Sequence, residues 1–349
     1  MTHSTLVGWC RVLIAAITLA TAGVRPGAAA QDRPGPPESG SARVLAEARQ
    51  LINEGKPRVA IERLEGAADR TRPDVAHLLG VAYYHADDHL RAIELLAPVA
   101  TAWPENSLER REAVQILGLC HFIVGRFAEA VPFLEATRAW AANRELGYVL
   151  GQAYVQTHRP DRAREVFADT FAVAPDSAAA HLITAQMMIR LEFEEFAEKE
   201  LTRAIEKDPT LPQAHALLGQ VAIFRGRLDE GIRLTRQEIA LNPGNAMAFQ
   251  QLGDALVRQG NWDEGMTALQ QSVWLNPFYS APYIVLGRAY MQKGQPATAE
   301  GMLMRAIQYD PNNRTAHYLL GQLYQQMGRL EEAKREFAIA ERLQGQPGR

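Results

Sequence analysis

From Ser41 onward apolar residues recur at spacings of three and four, the period of one face of a helix. The runs are short and punctuated by regular breaks. A small residue sits in the first half of each period, at Ala48, Gly80, Gly118, Gly151, Ala185, Gly219, Gly253, Gly287 and Gly321. The successive spacings are 32, 38, 33 and then 34 five times. Twelve residues after each anchor stands another small residue: Ala60, Ala92, Ala130, Ala163, Ala197, Gly231, Gly265, Ala299 and Ala333. Seven residues after the anchor six of the units carry glycine, at Gly55, Gly125, Gly226, Gly260, Gly294 and Gly328, where a residue without Cβ permits a tight turn. Six units close on a proline twenty-four residues past the anchor: Pro104, Pro175, Pro209, Pro243, Pro277 and Pro311. The pattern predicts a helix, a turn and a second helix in every unit, packed closely where the small residues meet.

Leu286, Gly287, Tyr290, Ala299, Leu303, Ala306 and Pro311 fall in the register of the tetratricopeptide repeat, as do Leu320, Gly321, Tyr324, Ala333, Phe337 and Ala340. The chain therefore resembles the tetratricopeptide repeat (TPR) family over roughly residues 41–344. The resemblance implies an all-α fold, a right-handed superhelical solenoid of about nine tandem helix-turn-helix repeats whose first helices line a concave face. Units are expected near 41–72, 73–106, 111–143, 144–177, 178–211, 212–245, 246–279, 280–313 and 314–344. What the family generally does is bind other proteins, often as extended peptides or helices. Two departures stand out. The spacing of 38 predicts a longer loop near Glu105 to Arg110, and Thr235 and Glu238 replace a bulky apolar and a small residue in the sixth unit. A buried carboxylate without partners is costly, so either Glu238 finds a partner or the second helix there is loosely held, and a weak joint is the expectation.

The first forty residues follow another grammar. Arg11 precedes the apolar run Val12 to Val24, and Ala28, Ala29 and Ala30 come before Gln31, the arrangement of an export signal. The run is shorter than the ~20 residues of a spanning helix. Cleavage after Ala30 is expected, with an uncleaved anchor as the lesser alternative; residues 31–40, rich in proline and glycine, read as a flexible linker and 345–349 as a tail. Placement is then periplasmic or cell-envelope associated, with no stable membrane insertion once the signal is removed.

Charge narrows the partners. The 349 residues hold 37 basic and 40 acidic side chains, a formal charge of -3, without the basic excess of a nucleic-acid binder. With Cys10 in the signal, Cys120 is the one cysteine of the mature chain, so no internal disulfide forms. No metal-protease, phosphate-loop or nucleophile-elbow motif occurs, and no catalytic residue, cofactor or metal is expected. His181, His215 and His317 share one repeat position with Phe249 and Tyr283, which marks packing. His85 and His89 straddle a turn, a poor geometry for a metal.

The informative set is the position just after each anchor, which the family geometry aims into the groove. It includes Gln152, Gln186, Gln220, Asp254, Arg288 and Gln322, with Tyr148, Phe224 and Tyr318 nearby. Primary amides donate to and accept from a peptide backbone without demanding a particular side chain. A ladder of them suits an extended segment of a protein partner. Sugar hydroxyls stacked on the aromatic rings are the alternative, and glutamine as a plain helix former on a solvated face is the bland one. Val81, Tyr84, Leu119, Phe122 and Ile123 predict an apolar groove in the second and third units, a segment that could serve a homo-oligomer contact; the uncovered end of the last unit is either a contact surface or a frayed terminus.

Overall fold

A computed structural model describes residues 40–344 except 68 and 142. The expected export signal, most of the linker and the tail lie outside them. The described residues are all-helical, with eighteen helices in nine pairs. They fall into two compact units divided between Pro175 and Asp176.

In the first unit α1 (Gly40–Asn53) pairs with α2 (Pro57–Ala67), α3 (Pro73–His85) with α4 (His89–Val99), α5 (Leu108–Ile123) with α6 (Phe127–Trp140), and α7 (Arg144–Gln156) with α8 (Pro160–Thr170). In the second, α9 (Ala178–Arg190) pairs with α10 (Glu194–Lys207), α11 (Ala214–Phe224) with α12 (Leu228–Leu241), and α13 (Ala246–Arg258) with α14 (Trp262–Leu275). Then α15 (Ser280–Gln292) pairs with α16 (Pro296–Tyr309), and α17 (Arg314–Gln326) with α18 (Leu330–Gln344). Within each unit, the second helix of a pair also packs against the first helix of the next. The core is thus a row of small clusters, each shared between neighbouring pairs: Ile232 of α12 joins Leu252 and Leu256 of α13, and Met266 of α14 joins Val285 and Leu286 of α15.

All nine turns take the same form. The six glycines have positive φ, and so do Asp87, His158 and Glu192 at the same register position. Each turn closes with a six-residue bond of the helix-terminating kind, Asp88 N to Tyr83 O, Arg159 N to Tyr154 O and Phe193 N to Met188 O at 2.9 Å, matching Arg227 N to Ala222 O at 2.9 Å in a glycine turn. A left-handed non-glycine residue costs roughly 1–2 kcal/mol, which the packing of both flanking helices overrides.

Two expectations are corrected. The extra residues before Gly118 do not simply lengthen a loop: α5 runs for 16 residues where α7 has 13, so part of the insertion forms an added amino-terminal stretch of helix. Ser107 caps it, its Oγ accepting from Arg110 N. The sixth pair is not a weak joint, because Glu238 is fully buried and has four donors around it. At the positions where α12 presents Ile232 and Ile239 to the next pair, and α14 Met266 and Val273, α18 has Lys334 and Glu341, both exposed; α16 also carries a charge at the first of them, Glu300, which pairs with Arg329 of the next pair.

That polar face does for α18 what a solvating cap does for any helical array. The double substitution Lys334→Ile with Glu341→Val is expected to make the chain self-associate more strongly than the parent, as read by sedimentation velocity across a concentration series. An unchanged sedimentation coefficient across a wide concentration range would refute this account of the edge.

Candidate functional site

An anchor glycine or alanine points at its partner helix, and the residue after it lies 100° further round. In residues 176–344 this puts Gln186, Gln220, Asp254, Arg288 and Gln322 at one register position of five successive first helices. Gln220 is exposed and Gln186 and Gln322 half-buried. The amides do not bond to one another. Gln186 Nε2 donates to Gln213 Oε1 at 3.4 Å, and Gln322 Nε2 to Tyr318 Oη at 3.2 Å. Phe224 is 74% exposed and Tyr318 46%. Arg288 Nη2 donates to Asp254 Oδ1 at 2.9 Å, and Arg258 Nε lies 2.9 Å from Asp254 Oδ2. A cleft of about 420 Å³ between α15 and α17 is lined by Arg288, Met291, Gln292, Leu319, Gln322, Gln325 and Gln326.

The same positions in residues 40–175 are filled by the chain itself. Gln152 is only 7% exposed, which removes it from the accessible set, and Tyr148 is half-buried with its ring centroid 6.3 Å from that of Phe167. Val81, Leu119 and Phe122 are buried and Tyr84 and Ile123 half-buried, so most of the apolar lining expected there is covered. Arg49 on α1 reaches past α3 to Glu112 on α5, in a bidentate pair at 2.7 and 2.8 Å. His77 Nε2 sits 3.4 Å from that carboxylate and 3.0 Å from the Glu109 carbonyl, which belongs to the added stretch of α5. Burial lowers the pKa of His77, partly opposed by Glu112.

The shared histidine position is buried as expected, and it is also polar. His215 Nε2, Tyr283 Oη and His317 Nε2 meet the carbonyls of Pro209, Pro277 and Pro311 at 3.0, 2.9 and 3.1 Å, tying each first helix to the proline that ends the preceding pair. His181 instead lies between Glu200, 2.7 Å from Nδ1, and Asp176, 3.1 Å from Nε2. Hydrogen bonds from Lys207 and then His181 pull the Asp176 carboxyl down to about 2. These contacts are legible in the sequence only as a recurring aromatic or imidazole six residues after a proline.

His85 and His89 each pack a ring against Tyr84, and His89 Nδ1 lies 3.9 Å from Cys120 Sγ. Burial pushes the Cys120 thiol up to about 12, the condition of an unreactive cysteine. Among the described residues no group of three or more histidine, cysteine or carboxylate side chains is placed to hold a metal, and no helix is long and apolar enough to cross a membrane.

Two family models, both described as tetratricopeptide repeat, match this sequence, one over residues 122–187 and 290–347 and the other over 45–107 and 216–280. No curated protein matches it. Among solved structures it is similar to MamA from Desulfovibrio magneticus RS-1, at 20% identity and a TM-score of 0.42, covering 48% of this chain and 96% of that one. It is also similar to a thermophilic TPR protein of Thermus thermophilus, TTC0263, at 23% identity and a TM-score of 0.43, covering 47% and 90%. A third is YrrB, described as a TPR protein with an unusual peptide-binding site, at 20% identity and a TM-score of 0.40, covering 52% and 93%.

Proposed function

The chain belongs to the tetratricopeptide repeat family, and from that premise we propose that it is a noncatalytic scaffold holding an extended segment of a partner protein on the first-helix face of residues 176–344. One observation carries the reading: Gln186, Gln220, Asp254, Arg288 and Gln322 occupy equivalent positions on five successive helices, with the cleft between α15 and α17 beside the last two. Repetition at the spacing of the helix pairs suits a ligand that is itself a repeating backbone, and glutamine serves its donors and acceptors alike. The export-signal reading of residues 1–30 supports a partner in the periplasm or cell envelope.

Capture from cell-envelope extract tests this. The chain is compared with a variant carrying Gln186→Ala, Gln220→Ala and Gln322→Ala, side chains exposed enough that helicity by circular dichroism should not change. The expected result is a protein retained by the parent and lost by the variant. Retention of the same protein by both would move the site off this face. Phe224 and Tyr318, being exposed, also suit stacking on sugar rings, so release of the captured protein by an oligosaccharide but not by peptides would favour the glycan alternative.

A further inference from the structure

We propose that this face, on the reading just given, selects an extended segment in which an acidic side chain within the segment is followed, two residues on, by an apolar one. Asp254 is the pivot. Its carboxylate is mostly enclosed, at 16% exposure, and binds Arg258 through one oxygen and Arg288 through the other, each at 2.9 Å. The side chains of Arg258 and Arg288 stay 47% and 41% exposed. A guanidinium has five N–H donors in a fixed fork, and the bond to Asp254 accounts for one on each. One acidic group thus orients two basic ones and leaves the trio with a net positive charge facing outward.

The surroundings have the same sign. At the register position of Arg288 and the one a turn later, across the five first helices of residues 176–344, the charged residues are Arg190, Asp254, Arg258 and Arg288. The complement of such a strip is anionic. Next to Arg288 the cleft offers Met291 and Leu319 as apolar lining, with Gln322, Gln325 and Gln326 along it. In an extended segment successive side chains point to opposite sides and alternate ones share a side. A carboxylate on Arg258 and Arg288 can therefore be followed, two residues along the strand and on the same side, by an apolar side chain in the cleft, while the backbone meets the amides. The carboxylates are those of side chains within the segment, not of a chain terminus.

Fluorescence anisotropy with the full chain and three labelled peptides tests it. The peptides are short, amidated at the carboxyl end, and place leucine two residues after aspartate, serine or lysine, with serine at the intervening positions. The aspartate peptide should bind about tenfold tighter than the serine peptide, and the lysine peptide more weakly than either. Arg258→Gln and Arg288→Gln should each weaken the aspartate peptide by roughly fivefold and narrow its lead over the serine peptide. Equal binding of aspartate and serine peptides overturns acidic selection while leaving the peptide groove standing. Aspartate binding that neither arginine variant alters overturns it too, since the contact then lies elsewhere. If no peptide binds, the inference falls, and the groove itself is judged by the envelope capture alone.

Discussion

Gly253→Ala is expected to destabilise the seventh helix pair by about 2–3 kcal/mol, although alanine is the better helix former by about 1 kcal/mol. A Cβ on Gly253 would lie 2.5 Å from Leu269 Cγ and 2.8 Å from the Gly265 carbonyl oxygen. Leu269 is fully buried and has nowhere to turn. The carbonyl is backbone, so relieving that contact means moving α14 as a body. The first and fifth pairs already carry alanine at the anchor, Ala48 and Ala185, each with alanine twelve residues on. In the seventh pair both positions are glycine, and there the backbones themselves come into contact. Gly301→Ala is the internal control. It lies in α16 with nothing within 4 Å of the added Cβ, and should stabilise by about 0.5–1 kcal/mol. One substitution chemistry thus has opposite signs at two sites, read as urea midpoints and as amide exchange in α13 and α14. Equal midpoints for Gly253→Ala and the parent would mean that these helices are not in backbone contact.

The repeat is legible in the sequence because close approach leaves a mark in residue type: only small side chains fit at Gly253 and Gly265, and glycine is the natural choice at a turn such as Gly260. Where geometry is enforced from outside the residue, the mark is missing. Glu192 occupies the left-handed turn position with a side chain that gives no hint of it, and only the count of seven from Ala185 reveals the turn. The groove set rests on register alone. Register places Gln152 and Gln322 alike, yet the first is enclosed and the second is not, because enclosure depends on what neighbouring helices bring to the same space. Arg49 and Glu112 are 63 residues apart and belong to pairs that are not consecutive, so no periodic pattern announces their bond. Asp254 and Arg288, one repeat apart on the same face, are both placed by register, but the role of the first in orienting the second is not.

Glu238 shows how a residue that breaks the pattern becomes the strongest single fastening of its pair. Its Oε1 accepts from Gln213 N at 3.0 Å, Asn242 Nδ2 at 2.8 Å and Asn245 Nδ2 at 3.2 Å, and its Oε2 from Ala216 N at 3.3 Å. Gln213 and Ala216 stand at the start of α11, where the first amides of a helix lack partners and the helix dipole favours a negative charge. The carboxylate of α12 thus caps the helix it packs against, and its amide partners sit at the end of α12 and ahead of α13. Gln213 adopts a left-handed φ of 71° at this cap. Its side chain in turn accepts from Gln186, which links the buried cap to the candidate binding face. Glu238→Ala leaves two backbone amides and two side-chain amides without their acceptor in a buried site, and is expected to cost about 3–5 kcal/mol. Glu238→Gln keeps one acceptor oxygen but turns an NH₂ toward a donor, and should cost about 1–3 kcal/mol. Denaturant midpoints would order the parent, the glutamine variant and the alanine variant, with the loss of amide protection concentrated in α11 and α12. A Glu238→Ala chain as stable as the parent would show that water replaces the carboxylate without loss, and that α11 is held by its apolar contacts alone.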